Sequence, residues 1–90
     1  MADVINGIVT EIICSRSFKI TVDMVKCSNR FQYGKEEVIR FADLHMIGHY
    51  AETRRLPAEA LEEHLLHRSV MCFVDEFNEN GEAIARVVAF

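Results

Sequence analysis

Asn80-Gly81 sits between two apolar-rich runs, residues 70–77 and 82–90, and that pattern leaves the end of the chain little alternative to a tight β-hairpin. A two-residue type I′ turn needs positive φ at both central positions, which the Asn-Gly pair tolerates best. With Asn80 and Gly81 at the turn centre, Phe77 is expected to face Ile84, Asp75 to face Arg86, Phe73 to face Val88 and Met71 to face Phe90 on one side of the ladder. The Asp75–Arg86 couple then reads as a cross-strand ion pair without a functional role. The other side carries Cys72, Val74, Ala85, Val87 and Ala89, a small-residue face that suits the inside of a tightly curved sheet. Periodicity alone leaves open which face is inside. Just upstream, residues 56–68 place Ala58, Leu61 and Leu65 at helical spacing with glutamates on the remaining face. Pro57 at the first helical position, acids in the first turns and His67-Arg68 at the end all suit a helix, which is expected to stop near Arg68.

Upstream of that helix the pattern is mostly that of strands. Residues 4–14 are rich in β-branched side chains and form a long first strand in which Gly7 marks a bend or bulge. Ser15-Arg16-Ser17 breaks it. Residues 18–24 then alternate with period two, so that Phe18, Ile20, Val22 and Met24 should face the core. Residues 26–37 are polar and read as a connecting loop. The third strand, residues 38–46, carries apolar residues on both faces and is expected to be central, and residues 47–55 read as a loop crossing one end. Three strands, a helix and two strands predict a mainly β fold with one helix (α+β), a five-stranded OB-type β-barrel whose helix plugs the bottom between strands three and four.

Composition narrows the rest. Ninety residues with 50% apolar content suit a single domain spanning 1–90. A net charge of −4 and a pI near 5.5 argue against holding nucleic acid by general electrostatics, which needs clustered Lys and Arg, while leaving a local basic patch open. Three widely spaced cysteines point to reduced thiols in a cytoplasmic protein rather than a disulfide framework. Met1-Ala-Asp-Val lacks the basic and apolar regions of a signal peptide, and no run has the length of a membrane span, so no membrane association is expected.

Gly7-Ile8-Val9, Val38-Ile39-Arg40-Phe41, the helix with its paired leucines Leu65-Leu66, and the turn and small-residue strand from Asn80 to Val87 together resemble the staphylococcal nuclease-like (thermonuclease-like) domains. The resemblance covers nearly the whole chain as a pattern without a strict motif, and family members continue past the last strand into C-terminal helices where this chain ends at Phe90. It implies the OB-type barrel. It also implies what the functional positions should hold. An Asp-Gly-Asp-Thr loop supplying a calcium ligand matches Cys14-Ser15-Arg16-Ser17, with Arg16 at the place of the carboxylate, and an arginine cannot serve as a calcium ligand. The phosphate-neutralising arginine of the third strand matches Arg40. The segment with a further ligand and the general base matches His45-Met46-Ile47-Gly48, with His45 and Gly48 in those places, and the second catalytic arginine matches Glu82. Cleaving a phosphodiester needs an activated water and charge stabilisation on the transition state, and Arg40 alone cannot provide both. A noncatalytic member of the superfamily is therefore expected.

The binding candidates are Arg16, Lys19, Arg40, Arg54 and Arg55, which an OB topology can gather near one end of the barrel, with Tyr50 as a ring for stacking. Against each stands a plainer role: Arg40 pairing with Asp23 or Asp43, the others as solvated loop charges, Phe18 and Phe41 as core. Histidines and cysteines show no Cys-x-x-Cys or His-Glu-x-x-His spacing, so neither a metal nor a cofactor is expected. The leading reading is a binding module for a protein partner or single-stranded nucleic acid, with a homodimer through an exposed edge of the last strand as a variant. The alternative is a divergent nuclease with a rearranged metal site built from Asp43, His45, His49 and Glu52.

Overall fold

The computed structural model describes residues 2–46 and 58–90. Its elements are β1 (Asp3–Cys14), β2 (Ser17–Val25), β3 (Glu36–Met46), α1 (Ala58–Leu65), β4 (Ser69–Phe77) and β5 (Ala83–Ala89). The five strands close into one barrel in the order β1-β2-β3-β5-β4, the expected OB-type architecture with the helix between β3 and β4. β3 and β5 run parallel and every other neighbouring pair is antiparallel.

Closure depends on β1, which pairs with β2 along its length and with β4 from Asp3 to Ile8. A strand that serves two neighbours must curl. Its ladder with β2 is interrupted at three places, where Asp23, Thr10 and Ile13 are each left without a partner. At the first, β2 comes so near that a Cβ on Gly7 would lie 2.5 Å from the Thr21 carbonyl oxygen. Gly7 therefore marks a bulge, as its place in a β-branched run foretells.

The interior follows the alternation. Phe18 and Ile20 of β2, Ile39 and Phe41 of β3, and Ile5 and Val9 of β1 are buried. So are Cys72, Val74, Ala85, Val87 and Ala89, which settles the face of the C-terminal hairpin: the small residues point inward, where five strands converge and leave little width. Leu61 and Leu65 fill the end beneath them.

Four expectations are corrected. Met24 is 51% exposed, because the unpaired Asp23 adds a residue to β2 and turns the alternation over before Met24. The C-terminal hairpin pairs Phe73 with Arg86 and Met71 with Val88, not with Val88 and Phe90. Two local features cause the offset. The turn is a three-residue loop in which only Gly81 has positive φ (79°), the Asn78 N–H donates to Glu82 O (3.0 Å) and the Gly81 N–H to Asn78 O (3.0 Å). Asp75 is then bulged out of β4, so it does not face Arg86, whose guanidinium lies over the Phe73 ring at 5.7 Å. The helix ends at Leu65 rather than near Arg68. His67 takes a left-handed conformation (φ 69°) and donates its N–H to Val9 O (2.8 Å), while the Val9 N–H donates to Arg68 O (3.0 Å), so pairing with β1 ends the helix early. Finally, β5 is hydrogen-bonded to β3 on one side and β4 on the other, so the free edge expected of the last strand is absent.

Candidate functional site

The first hairpin turn is built from Cys14, Ser15, Arg16 and Ser17. Cys14 and Ser17 pair across it, Ser17 pairs with Arg40 on β3, and Arg40 with Ile84 on β5, so a single row crosses four strands. The Phe41 N–H donates to Arg16 O (2.9 Å), which ties the turn to β3. Arg16 and Arg40, both exposed, thus come together although 24 positions apart. The start of β5 lies at the same place, since Ala83 is beside Ile39. The row therefore joins the β1–β2 turn to the β4–β5 loop across the face that OB folds use for ligands.

Two other side chains colour this site. Ser17 is buried and its hydroxyl lies 3.1 Å from the Cys14 sulfur. That contact first, then the Arg16 backbone and the Arg40 charge, outweigh partial burial and hold the Cys14 thiol below its ordinary value. Cys72, inside the barrel, is pushed up to about 12 by burial. Lys19 sits two rows further along β2, 4.0 Å from Glu11, a partly exposed pair. Of the remaining expected binding residues, Tyr50, Arg54 and Arg55 lie outside the described residues, as do Gly48, His49, Glu52 and the side chains of Asp43 and His45. Among the described residues Arg40 makes no ion pair with Asp23, which is exposed at its bulge. The turn that would hold calcium offers a thiol, two hydroxyls and a guanidinium and no carboxylate, a donor set that does not suit that ion. Among the described residues no group of three His, Cys, Asp or Glu side chains is placed to hold a metal.

A second constellation is absent from the expectations. Asp3, 3% exposed, accepts hydrogen bonds from the Arg30 N–H (2.9 Å), the Phe31 N–H (3.0 Å) and the Tyr33 hydroxyl (2.9 Å), and the Arg30 guanidinium lies 3.4 Å away. Asn29 adds a two-way bond to the Val4 backbone: Val4 N–H to Oδ1 and Nδ2 to Val4 O, each 2.8 Å. The loop between β2 and β3 is thereby fastened to the start of β1. Burial pushes the Asp3 carboxyl up, yet the Arg30 and Phe31 N–H groups, Tyr33 and the Arg30 side chain outweigh it and bring it down to about 2. The fastening sets Phe31 edge-on to Phe77 (centroids 5.1 Å, 82°), with the Arg30 guanidinium 5.2 Å from its centroid. Nothing local reveals these contacts, since Asp3 and Arg30 are 27 positions apart. The signal that was there is the loop's composition, three cations and two aromatics with no acid from Lys26 to Lys35.

Among the described residues no helix is long and apolar enough to cross a membrane. No protein family, curated protein or solved structure matches this chain.

Proposed function

We propose that this barrel is a noncatalytic binding module, a degenerate relative of the staphylococcal nuclease-like domains, that recognises a protein partner or a single-stranded nucleic acid through the loops and outer face around β2 and β3. The observation that carries this reading is the juxtaposition of Arg16 and Arg40, two exposed guanidinium-bearing residues on the strand face and turn where OB barrels take ligands. Both are suited to a phosphate or a carboxylate, which arginine meets bidentately. The same position that gains Arg16 loses a metal-binding carboxylate, and Glu82 stands where a second charge-stabilising arginine would be needed. What remains binds an anion without activating a water.

An amide NMR titration of the labelled protein with a short single-stranded oligonucleotide, in low-salt buffer containing calcium, tests it. Shifts at Arg16, Lys19 and Arg40 are expected. A silent spectrum removes the nucleic-acid half of the reading and leaves a protein ligand. Turnover of the oligonucleotide that disappears in Arg40→Ala would overturn the noncatalytic assignment in favour of a nuclease.

A further inference from the structure

The ten-residue loop from Lys26 to Lys35 differs in charge from the rest of the chain. It contains Lys26, Arg30 and Lys35, three of the ten lysines and arginines, and no aspartate or glutamate, in a protein of net charge −4. All three cations are exposed. Two acids follow the loop directly: Glu36, which is exposed, and Glu37, which is engaged by the loop's own backbone, accepting from the Gly34 N–H at 2.8 Å. Between the cations stand Phe31, 37% exposed, and Tyr33, half-buried.

The loop's shape is held before any ligand arrives. Asp3 and Asn29 fasten its backbone to β1, and Phe31 and Tyr33 rest on Phe77 at 5.1 and 5.8 Å. Arg30 gives Nε to Asp3 and a terminal N–H to Asp75 O (3.0 Å), which orients its guanidinium against Phe31 while the side chain stays 53% exposed. Anchoring of this kind lowers the ordering cost of binding. A flat cation backed by an aromatic ring, flanked by two lysines, is the surface on which an unpaired base stacks while neighbouring phosphates meet ammonium groups. A folded acidic protein would use the charges but has no need of the ring pair.

From this we infer that the β2–β3 loop is a docking surface for single-stranded nucleic acid, with a base stacked on the Arg30–Phe31 pair and phosphates at Lys26 and Lys35. The inference goes beyond the binding-module reading above, because it places the nucleic acid on the loop at the other end of β2 from the Arg16–Arg40 turn. With few cations on an acidic protein, binding is weak at physiological salt and strengthens only moderately as salt is lowered, with a slope of about −1.4 for the two phosphate contacts.

Fluorescence anisotropy of a labelled oligothymidylate of about ten nucleotides, measured across a salt series, tests this on the whole chain. Lys26→Gln and Lys35→Gln are each expected to weaken binding severalfold and to flatten the slope of log affinity against log salt by about 0.7. Phe31→Leu keeps an apolar anchor on Phe77 but loses the ring, and is expected to weaken binding about tenfold with an unchanged salt slope and circular dichroism spectrum. Affinity unchanged in all three variants, or an oligonucleotide that does not bind in low salt, overturns the inference. If Arg16→Gln and Arg40→Gln abolish binding while the loop variants bind normally, the ligand sits at the first turn: the loop proposal fails and the binding-module reading stands.

Discussion

Cys14 and Cys72 carry the same thiol in opposite surroundings. The Ser17 hydroxyl, the Arg16 backbone and the Arg40 charge favour the thiolate of Cys14, whereas Cys72 is fully buried and rises to about 12. Alkylation with iodoacetamide near pH 7.5, followed by peptide mass spectrometry, should therefore modify Cys14 well before Cys72. Ser17→Ala, which removes the largest of these influences, should slow Cys14 severalfold and leave Cys72 unchanged; a Cys14 rate unmoved by that substitution would contradict the contact between the hydroxyl and the thiol. Asp3 and Tyr33 set the pH limits of the loop they fasten. Asp3 lies below its unfolded value, so its contribution is complete above about pH 4 and is lost as pH falls towards 2. Tyr33 is raised above its ordinary range by burial and then by the bond to Asp3 and its charge, so its contribution is complete below about pH 10 and is lost as pH rises above that. Urea unfolding against pH should show the stability difference between wild type and Asp3→Asn shrinking from pH 4 to 2. A constant difference would mean that the carboxylate is not what the loop holds.

Elements are decided by a few backbone positions. Gly7 and Gly81 are both glycines in or beside strands, yet their replacements should fail for different reasons. Gly7→Ala drives a methyl group against the Thr21 carbonyl and forces β1 and β2 apart, a cost of about 1–3 kcal/mol or more. Gly81→Ala meets no atom within 4 Å and suffers only from its positive φ, about 1–2 kcal/mol, much of which Gly81→Asn should recover. Thermal denaturation of the three variants distinguishes the two causes. In the helix, Leu65→Ala removes a side chain with no exposure from the plug of the barrel and should cost about 2–5 kcal/mol, against little for the exposed Glu63→Ala. Leu61 and Leu65 were identifiable as the buried stripe from their spacing alone, and so was the inward set on β2 as far as Val22. The boundary of the helix was not, because His67 and Arg68 bond to Val9, and no feature of residues 56–68 announces a partner on the first strand.

For the barrel as a whole, closure is the property with the most direct readout. β5 pairs along both sides, so its amides should be protected from hydrogen exchange whether they point to β3 or to β4. Rapid exchange at alternate residues from Ala83 to Ala89 would reveal an open edge and revive pairing with a second copy there. Strand, helix and turn identities belong to neighbouring residues: Phe18 and Ile20 alternate, Leu61 and Leu65 recur, Gly81 permits a backbone that others resist. Such periodicities are local, and the order of elements that follows from them already pointed to an OB-type barrel. Register and contact are different, because they balance strands against each other across the molecule. Bulges at Asp23 and Asp75, needed to bend strands into a closed wall, reversed the face of Met24 and displaced the hairpin ladder. The meeting of Arg16 with Arg40, and of Asp3 with the β2–β3 loop, required the wall to close before those groups had neighbours at all.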